Sequence, residues 1–154
     1  VTEKELLQKL NVWRLLGKTI VFSNGCFDIL HAGHIASLSE AAQHGDVLVI
    51  GVNADVSVKK IKGDNRPLND ENSRSLLLAS LSMVDAVIIF SEDTPLEIIK
   101  MIQPNVLVKG GDYSIDQIAG SKEVIAGGGK VIINPVINGF STTSIIQKLK
   151  KLNL

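Results

Sequence analysis

The chain is short of most residues that would place it in a specialised class. One cysteine, Cys26, stands among 154 residues, so no internal disulfide can form and a reduced compartment is expected. Six aromatics leave the core to Val, Ile, Leu and Ala, the usual filling of a parallel sheet covered by helices. Sixteen basic and sixteen acidic side chains cancel, so the basic excess of a nucleic-acid binder is missing and no nucleic-acid partner is expected. The densest basic stretches, Lys59-Lys60-Ile61-Lys62 and Lys148-Leu149-Lys150-Lys151, are short. No apolar run reaches the length of a membrane span, and the charged start Thr2-Glu3-Lys4-Glu5 has no signal-peptide pattern. A cytoplasmic location with no membrane partner is the expectation. The first residue is Val, not Met, which suggests a processed product or a piece of something longer.

What is present alternates. An amphipathic helix is predicted over 3–16, with Leu6, Leu10, Trp13 and Leu16 on one side and Gly17 as the stop. Strands are predicted at 19–23, 47–52, 86–90, 106–108 and 130–134. Helices are predicted at 33–44, 70–83, 121–126 and from Ser141 onward, the last with Ile145, Leu149 and Leu152 as its apolar stripe. Thr94-Pro95-Leu96-Glu97 reads as a capping box that starts a helix running to about Ile102. Residues 53–69 read as a short helical turn and a loop. Strand and helix in alternation imply right-handed crossovers: one α/β domain over 1–154, a three-layer sandwich on a five-stranded parallel sheet. The polar segments 24–34, 53–66, 109–113 and 138–143 all follow strands. Open α/β sheets bind ligands at that rim.

Asn24-Gly25-Cys26-Phe27-Asp28-Ile29-Leu30-His31-Ala32-Gly33-His34 carries the densest chemistry. Two histidines three apart project together at a helix start, where free N–H groups and the helix dipole favour an anion. Gly33 leaves room for close approach to the backbone. Two His make a thin zinc site and no third ligand stands nearby, so a triphosphate suits the pattern better than a metal. Ser141-Thr142-Thr143 places hydroxyls and N–H groups at another helix start. In Lys109-Gly110-Gly111-Asp112-Tyr113 the glycines admit a base or ribose edge, and Asp112 either accepts from a ribose hydroxyl or holds a neighbouring loop. Asp28 is read as orienting an imidazole or backbone. Cys26 is read as a packing residue beside the site, and His44 as a surface residue at a helix end. A dinucleotide fingerprint and a P-loop are both absent after the first strand.

The Gly-x-Phe-Asp-x-x-His-x-Gly-His pattern and the Ser-Thr-Thr helix opening resemble the signatures of the cytidylyltransferase-like branch of the nucleotidyltransferase superfamily. Within it, the His motif, 62–67, 108–113 and 119–124 resemble the adenylyltransferases that convert a heptose 1-phosphate to ADP-heptose for the lipopolysaccharide core. The resemblance implies a Rossmann-like fold, ATP as co-substrate with Mg²⁺ carried on its phosphates, and no dedicated metal site. It implies catalysis by His31, His34, Lys62 and Thr142. It implies nucleotide contacts from Gly25, Cys26, Phe27, Asp28, Gly33, Lys109, Gly110, Asp112, Ser141, Thr142 and Thr143. Acceptor contacts fall to Asn24, Lys60, Lys62, Arg66 and Arg74, with Lys62 the favoured loop lysine. The Arg that the wider family carries before its second signature is missing at Val136, Ile137 and Asn138, and Arg66 or Arg74 is the expected substitute. A homo-oligomer and a separate or fused sugar kinase are the implied partners. The rival expectations are a cytidylyltransferase for a small phospho-alcohol such as glycerol 3-phosphate, and a non-catalytic nucleotide sensor.

Overall fold

The computed structural model describes residues 1–152; the last two residues of the predicted domain lie outside the described residues. Five parallel strands form the sheet: β1 (Ile20–Gly25), β2 (Val47–Asn53), β3 (Ala86–Phe90), β4 (Val106–Gly110) and β5 (Lys130–Asn134). Their order is β3-β2-β1-β4-β5. The chain winds outward from β1 through β2 and β3, then returns to pair β4 against the other side of β1. The order reverses between β1 and β4, and it is beyond the carboxyl ends of the strands at such a point that open α/β sheets bind their ligands.

Alternate strand residues face opposite layers, as the two-residue period of a strand requires. Ile20, Phe22, Val49, Ile88, Phe90 and Leu107 pack with Leu6 and Leu10 of α1 (Glu3–Leu15), Ile98, Ile99 and Ile102 of α5 (Leu96–Ile102) and Val124 of α6 (Ser121–Ala126). Val21, Leu48, Ile50, Val52, Val87, Val106 and Val108 pack with Leu38 and Ala41 of α2 (Ala32–Ala42) and Leu78 of α4 (Glu71–Ala79). These are the expected three layers. Each fully buried Leu or Ile contributes roughly 1.5–3 kcal/mol of burial.

Several boundaries differ from the sequence reading, each for a local reason. The expected turn after β2 is a full helix, α3 (Asp55–Lys62). Its first turn lacks a side-chain cap of its own. The Glu71 carboxylate accepts from the Asp55 N–H at 2.7 Å instead, an arrangement that only the fold creates. The capping box at Thr94 does not form: Pro95 is the N-cap residue and no side chain bonds there. Glu97 pairs with Lys100. The loop after β4 contains a 3-10 turn, Ile115–Gln117, closed by a Ser114–Gln117 capping box. The last helix, α7 (Thr142–Lys151), starts where expected, but its apolar stripe is not in the core, and Leu149 and Leu152 are exposed.

Candidate active site

The His motif begins as the end of β1 and finishes as the first turn of α2. Phe27 makes the turn between them with a left-handed backbone, φ 48°, a conformation that costs a bulky residue energy. Its ring folds back over Gly25, where a Cβ would stand 3.1 Å from the ring edge. The same ring meets His34 edge-on, with centroids 5.4 Å apart. Gly25 therefore makes room for Phe27, and Phe27 supports His34.

His31 is the N-cap residue of α2, and its imidazole stacks on His34 with centroids 3.8 Å apart and planes 22° from parallel. Phe140, which immediately precedes α7, lies nearly parallel to His31 at 6.3 Å. A Cβ on Gly33 would fall 2.7 Å from the Phe140 Cβ and 3.0 Å from the His31 ring. The room at Gly33 is thus taken by protein side chains, a correction to its reading as an opening for the ligand. Nδ1 of both histidines is buried without a hydrogen-bond partner among the described residues. Burial lowers the His34 pKa to about 4, and the neighbouring His31 adds to this, while a hydrogen bond to Ile29 opposes it. Burial also holds His31 below the ordinary histidine value. Both rings are neutral near pH 7.

Asp28 turns away from the imidazoles. Its buried carboxylate accepts from Arg66 Nε at 2.5 Å and from the Leu68 and Asn69 amides at 2.8 and 3.0 Å. The Asn69 side chain donates to the Asp28 carbonyl at 2.7 Å. Burial pushes the carboxyl up, but the Asn69 amide and the Arg66 guanidinium outweigh it and hold it below the usual carboxylate value. Of the two readings of Asp28, orienting backbone is the one its contacts show. It latches the 65–69 loop to the His motif.

Arg74 is a plain correction. Expected on the acceptor, it is fully buried. It donates to the carbonyls of Asn69, Cys26 and Asn53 at 3.0, 2.6 and 2.8 Å, and to the Asp55 carboxylate at 2.6 Å. Four of its five N–H donors are committed to tying β1, β2, α3 and the 65–69 loop together. The pattern of a lone Arg in a helix gave no sign of this, because its acceptors come from distant parts of the chain.

Lys60 points outward to Asp93 at 2.9 Å, both ends exposed. Lys62, at the end of α3, lies close enough to Cys26 and Lys109 to affect the titration of both, and Lys109, at the end of β4, that of Cys26. Neither has a carboxylate partner among the described residues. Burial, reinforced by Lys62, holds the Lys109 ammonium below its ordinary value. Its Nζ sits 5.8 Å over the Tyr113 ring. Burial raises the Cys26 thiol. That makes it a protonated packing residue, not a nucleophile. Gly110 closes β4 beside Ser37 of α2, and Asp112 is exposed on the turn beyond it.

Ser141 caps α7 by accepting from the Ser144 N–H at 3.0 Å. The Thr142 hydroxyl reaches the Ile29 carbonyl at 3.5 Å, which sets the start of α7 against the His motif, with Thr143 exposed one residue on. Asn24, at the end of β1, is half-buried on the same rim. Two contributors were missed from sequence. Asn53 is buried, donates to Ser57 at 3.1 Å and accepts Arg74 on its carbonyl. Asn134, at the end of β5, donates to the Ser37 carbonyl at 3.1 Å and leaves its Oδ1 buried and unpartnered among the described residues. A buried Asn closing a strand was the available signal for both. The residues that converge on one rim are therefore Asn24 to His34, Lys62, Lys109, Asn134 and Ser141 to Thr143.

Comparison with known proteins bears on this rim. The chain is 51% identical over 144 residues to the bifunctional protein HldE of Nitrobacter hamburgensis, a match that covers 94% of this chain and 29% of that protein. It is 52% identical over 149 residues to the Shewanella baltica protein of the same name, covering 97% and 31%. The chain thus spans about a third of the length of these curated relatives. A lipopolysaccharide core biosynthesis protein of Thermoplasma volcanium, solved by crystallography, is 31% identical, with a TM-score of 0.63 over 79% of this chain and 98% of that one. A pantoate-beta-alanine ligase of Francisella tularensis shares the fold at 17% identity, with a TM-score of 0.66 over 99% of this chain and 77% of that one. No helix among the described residues is long and apolar enough to cross a membrane. The sheet order, the paired imidazoles at the start of α2 and the Ser-Thr-Thr start of α7 agree with a match to the cytidylyltransferase-like family model over residues 22–148. This chain belongs to the cytidylyltransferase-like family.

Proposed function

We propose that the chain is an adenylyltransferase that moves AMP from ATP to D-glycero-β-D-manno-heptose 1-phosphate, giving ADP-heptose and pyrophosphate. The observation that carries this reading is the stacked His31–His34 pair at the start of α2, with both Nδ1 atoms unpartnered among the described residues. The names of the relatives and the motif set at 62–67 and 108–113 support the choice of substrate.

An oxygen of the sugar phosphate attacks the α-phosphorus of ATP. The new O–P bond forms as the bond to the β-phosphate oxygen breaks, and pyrophosphate leaves with that electron pair. The nucleophile is already an anion, so no strong base is needed. Catalysis then rests on alignment and on neutralising oxygen charge. His31, His34 and Lys62 meet the phosphates, helped by the α2 N-terminus. An anion in contact favours the protonated imidazole, so the lowered pKa of each ring rises as substrate arrives. Thr142 and the Ser141 to Thr143 helix start hold further phosphate oxygens. Lys109, Gly110 and Asp112 border the nucleoside, and Gly25 to Asp28 shape the floor. Asn24, Lys62 and Arg66 face the acceptor.

The described residues include no cluster of three His, Cys, Asp or Glu able to hold a metal. The Asp28 carboxylate already accepts from three donors. Mg²⁺, which lowers the charge on a triphosphate, is accordingly assigned to the phosphates and not to a protein cage. A homo-oligomer, a cytoplasmic location and an accompanying sugar kinase that supplies the 1-phosphate belong to the same proposal. A pyrophosphate-release assay over ATP, CTP, GTP and UTP against heptose 1-phosphate, glucose 1-phosphate and glycerol 3-phosphate tests it. Turnover with ATP and heptose 1-phosphate is expected. Turnover confined to CTP with glycerol 3-phosphate overturns it in favour of a cytidylyltransferase. ATP binding without turnover on any acceptor overturns it in favour of a sensor.

A further inference from the structure

A groove of about 470 Å³ runs between the 65–68 loop and one face of α7. That volume is in the ordinary range for small-molecule sites. Asn65, Arg66 and Leu68 form one wall, and Thr143, Ile146, Gln147 and Lys150 form the other. Thr143, Ile146, Gln147 and Lys150 recur at three- and four-residue spacings and therefore share a face. Ile146 and Leu68 give the groove an apolar floor. The surface it exposes is mostly apolar; the polar side chains along it are two cations, Arg66 and Lys150, two amides, Asn65 and Gln147, and the Thr143 hydroxyl. No acid lines it.

Both walls are fastened to adjacent residues of the His motif. The loop is held by Asp28, through Arg66 and the Leu68 amide. The helix is held at Ile29, through the Thr142 hydroxyl. The groove is therefore fastened to the motif two and three residues before His31.

We infer that this groove seats the sugar of the acceptor, and that Gln147 and Lys150 are specificity-determining residues of the transfer. This inference rests on the adenylyl-transfer reading. A sugar phosphate has the matching chemistry. Its C–H faces lie on Leu68 and Ile146, its hydroxyls meet the Asn65 and Gln147 amides, and its charge is balanced by Arg66 and Lys150. The lining holds no acid and two cations, which disfavours a cationic acceptor. Neither Gln147 nor Lys150 belongs to either family signature, so the signatures can be common to the family while this α7 face differs with the acceptor.

The test is steady-state kinetics of Gln147→Ala, Lys150→Glu and Ile146→Trp, with ATP and heptose 1-phosphate varied separately and Mg-ATP binding measured by titration. Expected is a tenfold or larger rise in the acceptor KM for Gln147→Ala and Lys150→Glu, with the ATP KM and Mg-ATP affinity within twofold of wild type. Ile146→Trp, which fills the groove, should abolish turnover with heptose 1-phosphate and retain Mg-ATP binding. An unchanged acceptor KM overturns the inference. So does a variant whose oligomeric state changes on a sizing column while its acceptor KM does not, which marks the groove as a contact between copies. Gln147 and Lys150 are exposed, so these substitutions leave the core untouched. If wild type makes no ADP-sugar, the adenylyl-transfer reading fails. If wild type turns over and the groove variants match it, only the acceptor seat fails.

Discussion

The two rims of the sheet use the same kinds of side chain for opposite ends. At the amino ends, the residue before each of three strands points a side-chain oxygen at a neighbouring strand. Asp46 accepts from the Thr19 N–H at 2.8 Å, Asp85 from Leu48 at 2.8 Å and Asn105 from Ile20 at 2.7 Å. Every one of these groups is spent on backbone. At the carboxyl ends, Arg74 and Asp28 are spent in the same way on the β1–β2 side. Yet His31 Nδ1, His34 Nδ1 and Asn134 Oδ1 remain buried and unpartnered among the described residues. Buried polar atoms normally find partners, so each exception calls for an explanation. The amino-end rim has one such atom as well, His44 Nε2 just past the end of α2, so the carboxyl-end rim is the less finished of the two among the described residues.

The sharpest way to break this contrast is at Arg74. Arg74→Met removes donors from three carbonyls and a carboxylate, and should cost roughly 3–5 kcal/mol in urea unfolding, with the soluble yield falling alongside. Stability within 1 kcal/mol of wild type would show that the brace is dispensable. On the unfinished part, His34→Ala should lower pyrophosphate release by about 10²–10³-fold while circular dichroism and thermal midpoint stay close to wild type. An activity loss explained by unfolding would count against a phosphate role. Lys62→Ala should lower kcat about tenfold or more, the effect of one lost charged contact, whereas Lys60→Ala, which breaks only an exposed pair, should stay within twofold. At the amino-end rim, Asp85→Ala and Asp46→Ala should each cost about 1 kcal/mol, the net worth of one hydrogen bond, with kcat unchanged.

A further effect is a pH dependence. In the folded chain His34 takes its proton only near pH 4, against 6.5 for an unperturbed histidine. Between those values the unfolded chain binds a proton that the folded chain refuses, so stability falls as pH drops through that window. The depressed Asp28 carboxyl acts lower, keeping its contribution above the ordinary carboxylate value and losing it beneath. Urea midpoints from pH 7 to pH 5 should therefore decline less steeply in His34→Gln than in wild type.

Much of this contrast was legible in the sequence, and the reason is local. Strands covered on both faces read as unbroken apolar runs, so 47–52, 86–90 and 130–134 lie within a residue of the observed elements. Ser141 caps its helix through its own neighbours, so that start was legible too. What stayed hidden depends on partners far away in the chain. The α3 cap comes from Glu71, the direction of Arg74 from acceptors on several elements, and the crowding at Gly33 from Phe140. The stripe on α7 was visible, but periodicity states only that a face is apolar. It does not say that anything covers it.

The reversal of strand order has a consequence for assembly. β2 follows β1 closely, while β4 reaches β1 only by pairing Val106 with Val21 across most of the chain. Contacts so distant in sequence carry the largest loop-closure cost and form late. Lys109 meets the His motif only through that pairing. Recovery of turnover during refolding is thus expected to trail recovery of helix signal, and catalysis becomes a reporter of the docking of β4 on β1.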